Sequence, residues 1–132
     1  MALKEIFRSY KELTAAEATA IIREITSMKC INHPLVVKLI DFFIEDKLVY
    51  IASEFASGGS LDTKLNGLLK NGQRLSEKEY MRYFAMLCCA LQHVHEKTYV
   101  HRDVSPKNLF LKNFSGGRDL LILGDFGIVK PL

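Results

Sequence analysis

Three oxygen-bearing side chains stand close together late in the chain: Asp103, Asn108 five residues on, and Asp125 directly ahead of Phe126 and Gly127. Mg²⁺ takes one or two carboxylate or amide oxygens and completes its shell with water and phosphate oxygens. Such a set would hold Mg²⁺ against a nucleotide phosphate while a carboxylate orients a hydroxyl. Residue type alone leaves a plainer alternative, in which Asp103 and Asn108 are turn formers and Asp125 caps a strand. Thiols and imidazoles offer no competing centre. Cys30, Cys88 and Cys89 lack metal-site spacing, and His33, His93, His95 and His101 are scattered. The three cysteines read as reduced, mostly buried thiols.

The remaining composition sets bounds. The 132 residues suffice for one small domain with a core, and 48% apolar with 25% charged residues is ordinary for a globular protein. A net charge of +3 is too small to argue for nucleic acid or a membrane surface. No apolar run approaches a membrane span, and the N-terminus lacks a signal-peptide core. The expectation is an intracellular, cytoplasmic protein with no nucleic-acid or membrane partner, its oligomeric state open.

These residues need elements to position them. Residues 1–7 read as a short strand carrying Lys4. Residues 11–30 read as a helix, with Thr14 and Glu17 forming a capping box and Ala15, Ala16, Ala18 and Ala20 favouring helix. Ile21, Glu24, Ile25 and Met28 share one face. An unpaired carboxylate on an apolar face is costly, so Glu24 should find a cation: Lys4, or a local Lys or Arg at the surface. Asn32-His33-Pro34 ends the helix. Apolar runs at 35–43 and 48–54 flank Glu45-Asp46-Lys47 as a hairpin. Ser57-Gly58-Gly59-Ser60 is a flexible corner, followed by a short helix over 61–69 ending at Asn71-Gly72. Ser76 and Glu79 make a second capping box. Tyr80, Tyr83, Phe84, Leu87, Leu91 and Val94 then mark a long amphipathic helix through about Glu96, whose stripe is core and whose task is to carry the loop 100–108 rigidly. Residues 109–112 and 120–123 form another hairpin, turning at 114–117.

The run His101-Arg102-Asp103-Val104-Ser105-Pro106-Lys107-Asn108 fits H-R-D-x-x-x-x-N, and Asp125-Phe126-Gly127 fits D-F-G, in the right order. On these motifs the chain resembles a eukaryotic-type protein kinase over essentially all its residues. Leu123–Ile128, Phe110 after Asn108-Leu109, and Leu91-x-His93-Val94-His95 resemble the NIMA-related serine/threonine kinases. The resemblance implies an α+β, two-lobed protein-kinase-like fold in truncated form. Residues 1–53 would be part of the N-lobe, 54–60 the hinge and 61–132 part of the C-lobe.

The same resemblance implies roles. Asp103 would accept the substrate hydroxyl proton, Asn108 and Asp125 would bind Mg²⁺, and Lys4, paired with Glu24, would contact the ATP phosphates. The backbone of Glu54 and Ala56 would hold adenine, Phe110 would floor it, and Ser53 would be a small gatekeeper. Phe126 would stack with His101, Met28 and Leu39, and Arg102 would ordinarily meet a phosphorylated activation loop. The implied function is transfer of the γ-phosphate of ATP to protein Ser or Thr hydroxyls, with ATP and Mg²⁺ as cofactors and a protein substrate as partner.

The chain departs from that pattern at Ser105, where serine/threonine kinases usually carry a lysine on the γ-phosphate. Losing that charge should cost about 2–4 kcal/mol in transfer, as for other preorganised charge stabilisers; Lys107 lies nearby. Pro106 argues against the tyrosine-kinase type. No Gly-rich loop precedes Lys4, and no activation segment or A-P-E motif follows Leu132, so the expectation is a kinase fragment, inactive and poorly stable alone. Two further functions compete: a non-catalytic pseudokinase-like scaffold, favoured by Ser105, and a small-molecule phosphotransferase sharing the core.

Overall fold

A computed structural model describes residues 2–6, 11–114 and 116–132, with side chains at Ala2 and from Lys11 onward. The order is β1 (Ala2–Ile6), α1 (Ala15–Cys30), β2 (Leu39–Glu45), β3 (Leu48–Ser53), α2 (Leu61–Lys70), α3 (Glu77–Glu96), β4 (Tyr99–Val100), β5 (Leu109–Phe114), β6 (Arg118–Leu123) and β7 (Lys130–Pro131). Helices and antiparallel sheets mix in an α+β arrangement. β1, β3 and β2 lie in that order in one antiparallel sheet, while β5 pairs with β6 and β4 with β7.

Both long helices start where a side chain satisfies their first free amides. Thr14 Oγ1 accepts from the Glu17 amide at 3.2 Å, and Glu17 accepts from the Thr14 amide at 2.9 Å. Ser76 and Glu79 repeat the exchange at 3.2 and 3.0 Å. The first cap moves the helix start to Ala15, four residues later than expected, because Thr14 is extended with ψ 157° and Lys11 and Glu12 form a turn before it. The short helix runs one residue longer than expected, to Lys70. The β2–β3 hairpin turns on Asp46 and Lys47, both at positive φ (48° and 68°), the two-residue geometry that matches strand twist.

The apolar run expected as strand from residue 35 becomes strand only at Leu39. Residues 35–37 serve a different neighbour. Val37 donates its amide to the Leu123 carbonyl and Leu123 donates to that of Leu35, both at 2.8 Å, so β6 and this connector run side by side.

One core joins the two halves of the chain. Ile25, Met28, Ile31, Val36 and Ile51 meet Tyr83, Ala90, Val94, Leu109, Leu111, Leu121, Leu123, Phe126 and Val129 in a single buried cluster. The long helix does not bury its whole stripe: Tyr83 and Val94 are inside, but Tyr80 and Phe84 are 63% and 56% exposed. Periodicity marks a stripe without saying what covers it. All three cysteines are exposed, against the expectation of mostly buried thiols. Among the described residues no helix is long and apolar enough to cross a membrane.

Candidate functional site

The loop after β4 carries the first of the predicted residues. His101 is 1% exposed and makes two bonds that define its tautomer. Its Nδ1 accepts from the Asp103 amide at 3.3 Å, so the proton sits on Nε2, which donates to the Gly124 carbonyl at 2.8 Å. Burial pushes its pKa down, against the Gly124 bond and the carboxylates of Asp125 and Asp103. A neutral ring thus ties the loop to the segment before Asp125. It meets Phe126 edge-on, with centroids 5.0 Å apart. Phe126 and Met28 share the core cluster, and Leu39 packs against it.

Asn108 is oriented by its surroundings. Its amide donates to the Ser105 carbonyl at 2.9 Å, and its Nδ2 to the Asp103 carbonyl at 3.0 Å. With Nδ2 so used, Oδ1 is the atom left to act as a ligand. The Asn108 carbonyl accepts from the Gly124 amide at 2.9 Å. Asp125 holds a positive φ of 54°, a left-handed conformation that a short polar side chain able to bond locally tolerates better than most. Its Oδ1 accepts from the Gly127 amide at 3.2 Å. Arg102, also at positive φ (68°), reaches the Ile128 carbonyl from Nε at 2.7 Å and from Nη2.

These residues face two adjoining cavities. One of about 240 Å³ is lined by Glu24, Met28, Val37, Ile51, Ser53, Asn108, Phe110, Asp125 and Phe126. The other, of about 200 Å³, is bounded by Ser53, Glu54, Phe55, Ala56 and Gly59 on the connector side and by Phe110 and Ile122 opposite. Val37, Ser53 and Phe110 border both, so the two form one cleft. Phe110 lies against Gly124 so closely that a β-carbon there would fall 2.6 Å from its ring.

The structure therefore brings together Glu24, Ser53, Asn108, Phe110 and Asp125 in one cavity, with Glu54 and Ala56 in the next. Asp103 is exposed on the loop beside them. Glu24 is 7% exposed on the inner face of α1. The backbone register sets Lys4 opposite Ile51, a cavity residue. The Lys4 side chain, and with it the expected Lys4–Glu24 pair, lies outside the described residues. Ser105 is half-buried in the loop turn and Lys107 is exposed.

The donor set suits Mg²⁺. Among the described residues no group of three or more His, Cys, Asp or Glu could hold a metal. A cation beside Asn108 and Asp125 would need phosphate oxygens and water to fill its shell, which is the habit of Mg²⁺.

Two lysines make polar contacts that escaped sequence reasoning. Lys64 on α2 donates to Tyr83 OH at 2.8 Å and to Asp119 Oδ2 at 3.0 Å, joining both helices to β6. Burial disfavours the ammonium, but the bonds to Tyr83 and Asp119 outweigh it and the pKa is raised. Lys112 on β5 pairs with Glu54 at 2.8 Å. Neither pair leaves a local signal in the sequence.

Known proteins agree with this architecture. The protein kinase domain family matches residues 1–132. The chain is 34% identical over 125 residues to serine/threonine-protein kinase nekl-2 of Caenorhabditis elegans, covering 91% of this chain and 34% of that protein. It is 33% identical over 130 residues to human serine/threonine-protein kinase Nek11, covering 98% of this chain and 19% of that one. The probable serine/threonine-protein kinase nek3 of Dictyostelium discoideum is 31% identical over 133 aligned positions, spanning 100% of this chain and 12% of its own length. The chain thus spans about a third or less of each of these relatives. With the site and these matches together, the chain belongs to the protein kinase domain family, beside serine/threonine kinases of the Nek group.

Proposed function

We propose that this chain is the nucleotide-binding part of a protein serine/threonine kinase that transfers the γ-phosphate of ATP to protein Ser or Thr hydroxyls. One observation carries the reading: Asn108 and Asp125 face the same cavity as Glu24, and that cavity opens into the one beside Glu54 and Ala56. In this reading residues 1–53 are part of the N-lobe, 54–60 the hinge and 61–132 part of the C-lobe. The backbone of Glu54 and Ala56 holds adenine over Phe110, and Lys4, oriented by Glu24, meets the phosphates. Asn108 and Asp125 hold Mg²⁺, which when bound neutralises charge on the transferring phosphoryl group. Asp103 orients the substrate hydroxyl and takes its proton, so the chain's own contribution is positioning and fixed charge.

A second reading has one observation in its favour. Ser105 replaces a cation with a hydroxyl, and a hydroxyl cannot offset phosphate charge. A non-catalytic nucleotide-binding scaffold would tolerate that loss.

The test is a melt with and without Mg²⁺–ATP, in wild type and in Asp125→Ala. A ligand at a hundred times its Kd adds about 2.7 kcal/mol. Asp125→Asn serves as the second variant, since asparagine tolerates the left-handed backbone that alanine resists. The expected result is stabilisation of the wild type that falls in both variants. No stabilisation of the wild type overturns the nucleotide site. Stabilisation without incorporation of labelled γ-phosphate into a serine- or threonine-bearing protein favours the scaffold.

A further inference from the structure

The carboxylate of Glu54 bridges two parts of the molecule that the chain connects only through residues 54–60. Its Oε1 accepts from the Lys38 amide at 3.0 Å, on the segment leading into β2. Its Oε2 accepts from Lys112 Nζ at 2.8 Å, on β5. The Glu54 amide also donates to the Lys38 carbonyl at 2.9 Å, so Glu54 and Lys38 are held by backbone and side chain together.

The far end of the connector is pinned differently. Gly58 donates to the Leu111 carbonyl and Leu111 donates to that of Gly59, both at 2.8 Å. A β-carbon at Gly58 would come within 2.8 Å of the Leu111 carbonyl oxygen, so glycine is what permits this approach. Backbone bonds thus fix residues 58–59 to β5, and Ser57 Oγ adds a longer bond by accepting from the Asn113 amide at 3.4 Å. At residue 54, by contrast, the tie to β5 is the Lys112 ammonium. Glu54 and Lys112 are 20% and 43% exposed in their side chains, sheltered enough to hold geometry and open enough to exchange with water. Phe55 and Ala56, which border the cleft, hang between these two anchors.

We propose that Lys112 is a positioning residue for the nucleotide cleft: through Glu54 it straps the start of the connector to β5, and so sets the spacing between the Glu54–Ala56 backbone and Phe110. Lys112 borders neither part of the cleft and acts only through the Glu54 carboxylate. The adenine-facing consequence rests on the proposed nucleotide site, whereas the strap itself does not.

Two measurements on the whole chain separate them. Hydrogen exchange of the Glu54 amide, which is bonded to the Lys38 carbonyl, should quicken without nucleotide in Lys112→Met and stay near wild type in Lys112→Arg, which keeps the charge and reach. Mg²⁺–ATP binding should weaken about two- to fivefold in Lys112→Met, the scale of a half-exposed ion pair, and be retained in Lys112→Arg. In a phosphorylating form of the protein the change should appear in KM for ATP, leaving kcat unchanged. Unchanged exchange in Lys112→Met overturns the strap. Faster exchange with unweakened ATP binding overturns the positioning role. A wild type that binds no nucleotide overturns the proposed function and the positioning role with it, while the exchange arm still decides the strap.

Discussion

Replacing Gly124 by alanine probes the joint between the two adjoining cavities of the cleft. The new β-carbon would stand 2.6 and 2.8 Å from two ring carbons of Phe110. Carbon atoms rest at about 3.5–4.0 Å, so one side must retreat by about 1 Å. The backbone cannot easily give. The Gly124 amide is bonded to the Asn108 carbonyl at 2.9 Å, and its carbonyl accepts from His101 at 2.8 Å. Phe110 can move, because its ring borders open space on both sides of the cleft. The clash should therefore be relieved by the ring swinging into the cleft. Overpacking that finds such a vent belongs at the low end of the usual range, about 1 kcal/mol. Nucleotide binding should suffer at least as much as stability, since in the proposed site the displaced ring would occupy adenine's place. A urea melt read beside a Mg²⁺–ATP titration measures both. The expected result is a stability loss of about 1 kcal/mol with binding lost by tenfold or more, about 1.4 kcal/mol. Phe110→Leu added to Gly124→Ala should recover part of the binding. Wild-type affinity in Gly124→Ala would refute this reasoning, as would a loss of several kcal/mol in stability with binding unchanged.

Further outcomes follow from the same geometry. Ser53 borders both cavities, so Ser53→Met should close the passage and block ATP-competitive ligands with bulky groups behind adenine; equal affinity for both variants would show that residue 53 does not guard it. Acid should destabilise the fold through two imidazoles held below their ordinary pKa, His101 by burial and His33 by burial and then by His93. The unfolded chain takes up protons that these rings refuse, so their stabilisation is full above about pH 6.5 and is lost as pH falls below it. Melts from pH 8 to 5 should show that slope, shallower in His101→Gln; equal slopes would remove His101 as its source.

What could be read without coordinates was local. Thr14 with Glu17 and Ser76 with Glu79 close their capping boxes within three residues, and the caps formed as expected. Asp103, Asn108 and Asp125 came from spacing, and Asn108 and Asp125 do meet in one cavity. Non-local partners were hidden. The apolar stretch before Leu39 looked like strand because its β-branched residues suit one, but it answers to Leu123, far along the chain. Glu54–Lys112 spans 58 residues and Lys64–Asp119 spans 55, and no periodicity reports on such distances. The cysteines were misplaced for another reason: residue type gives an average burial, and Cys30, Cys88 and Cys89 fall on exposed helix faces.

The short parallel contact between residues 35–37 and Leu123 has a mechanical consequence. Leu123 is paired on one edge with Leu109 of β5 and on the other with the connector leaving α1, so its backbone is gripped from both sides. Asp125 lies two residues beyond that grip. Glu24 lies on the helix before that connector, which leaves α1 through the buried Ile31. The Val36–Leu123 bridge thus brings the segment that leaves the helix of Glu24 directly against the strand that leads to Asp125, although the two residues stand 101 positions apart in the sequence.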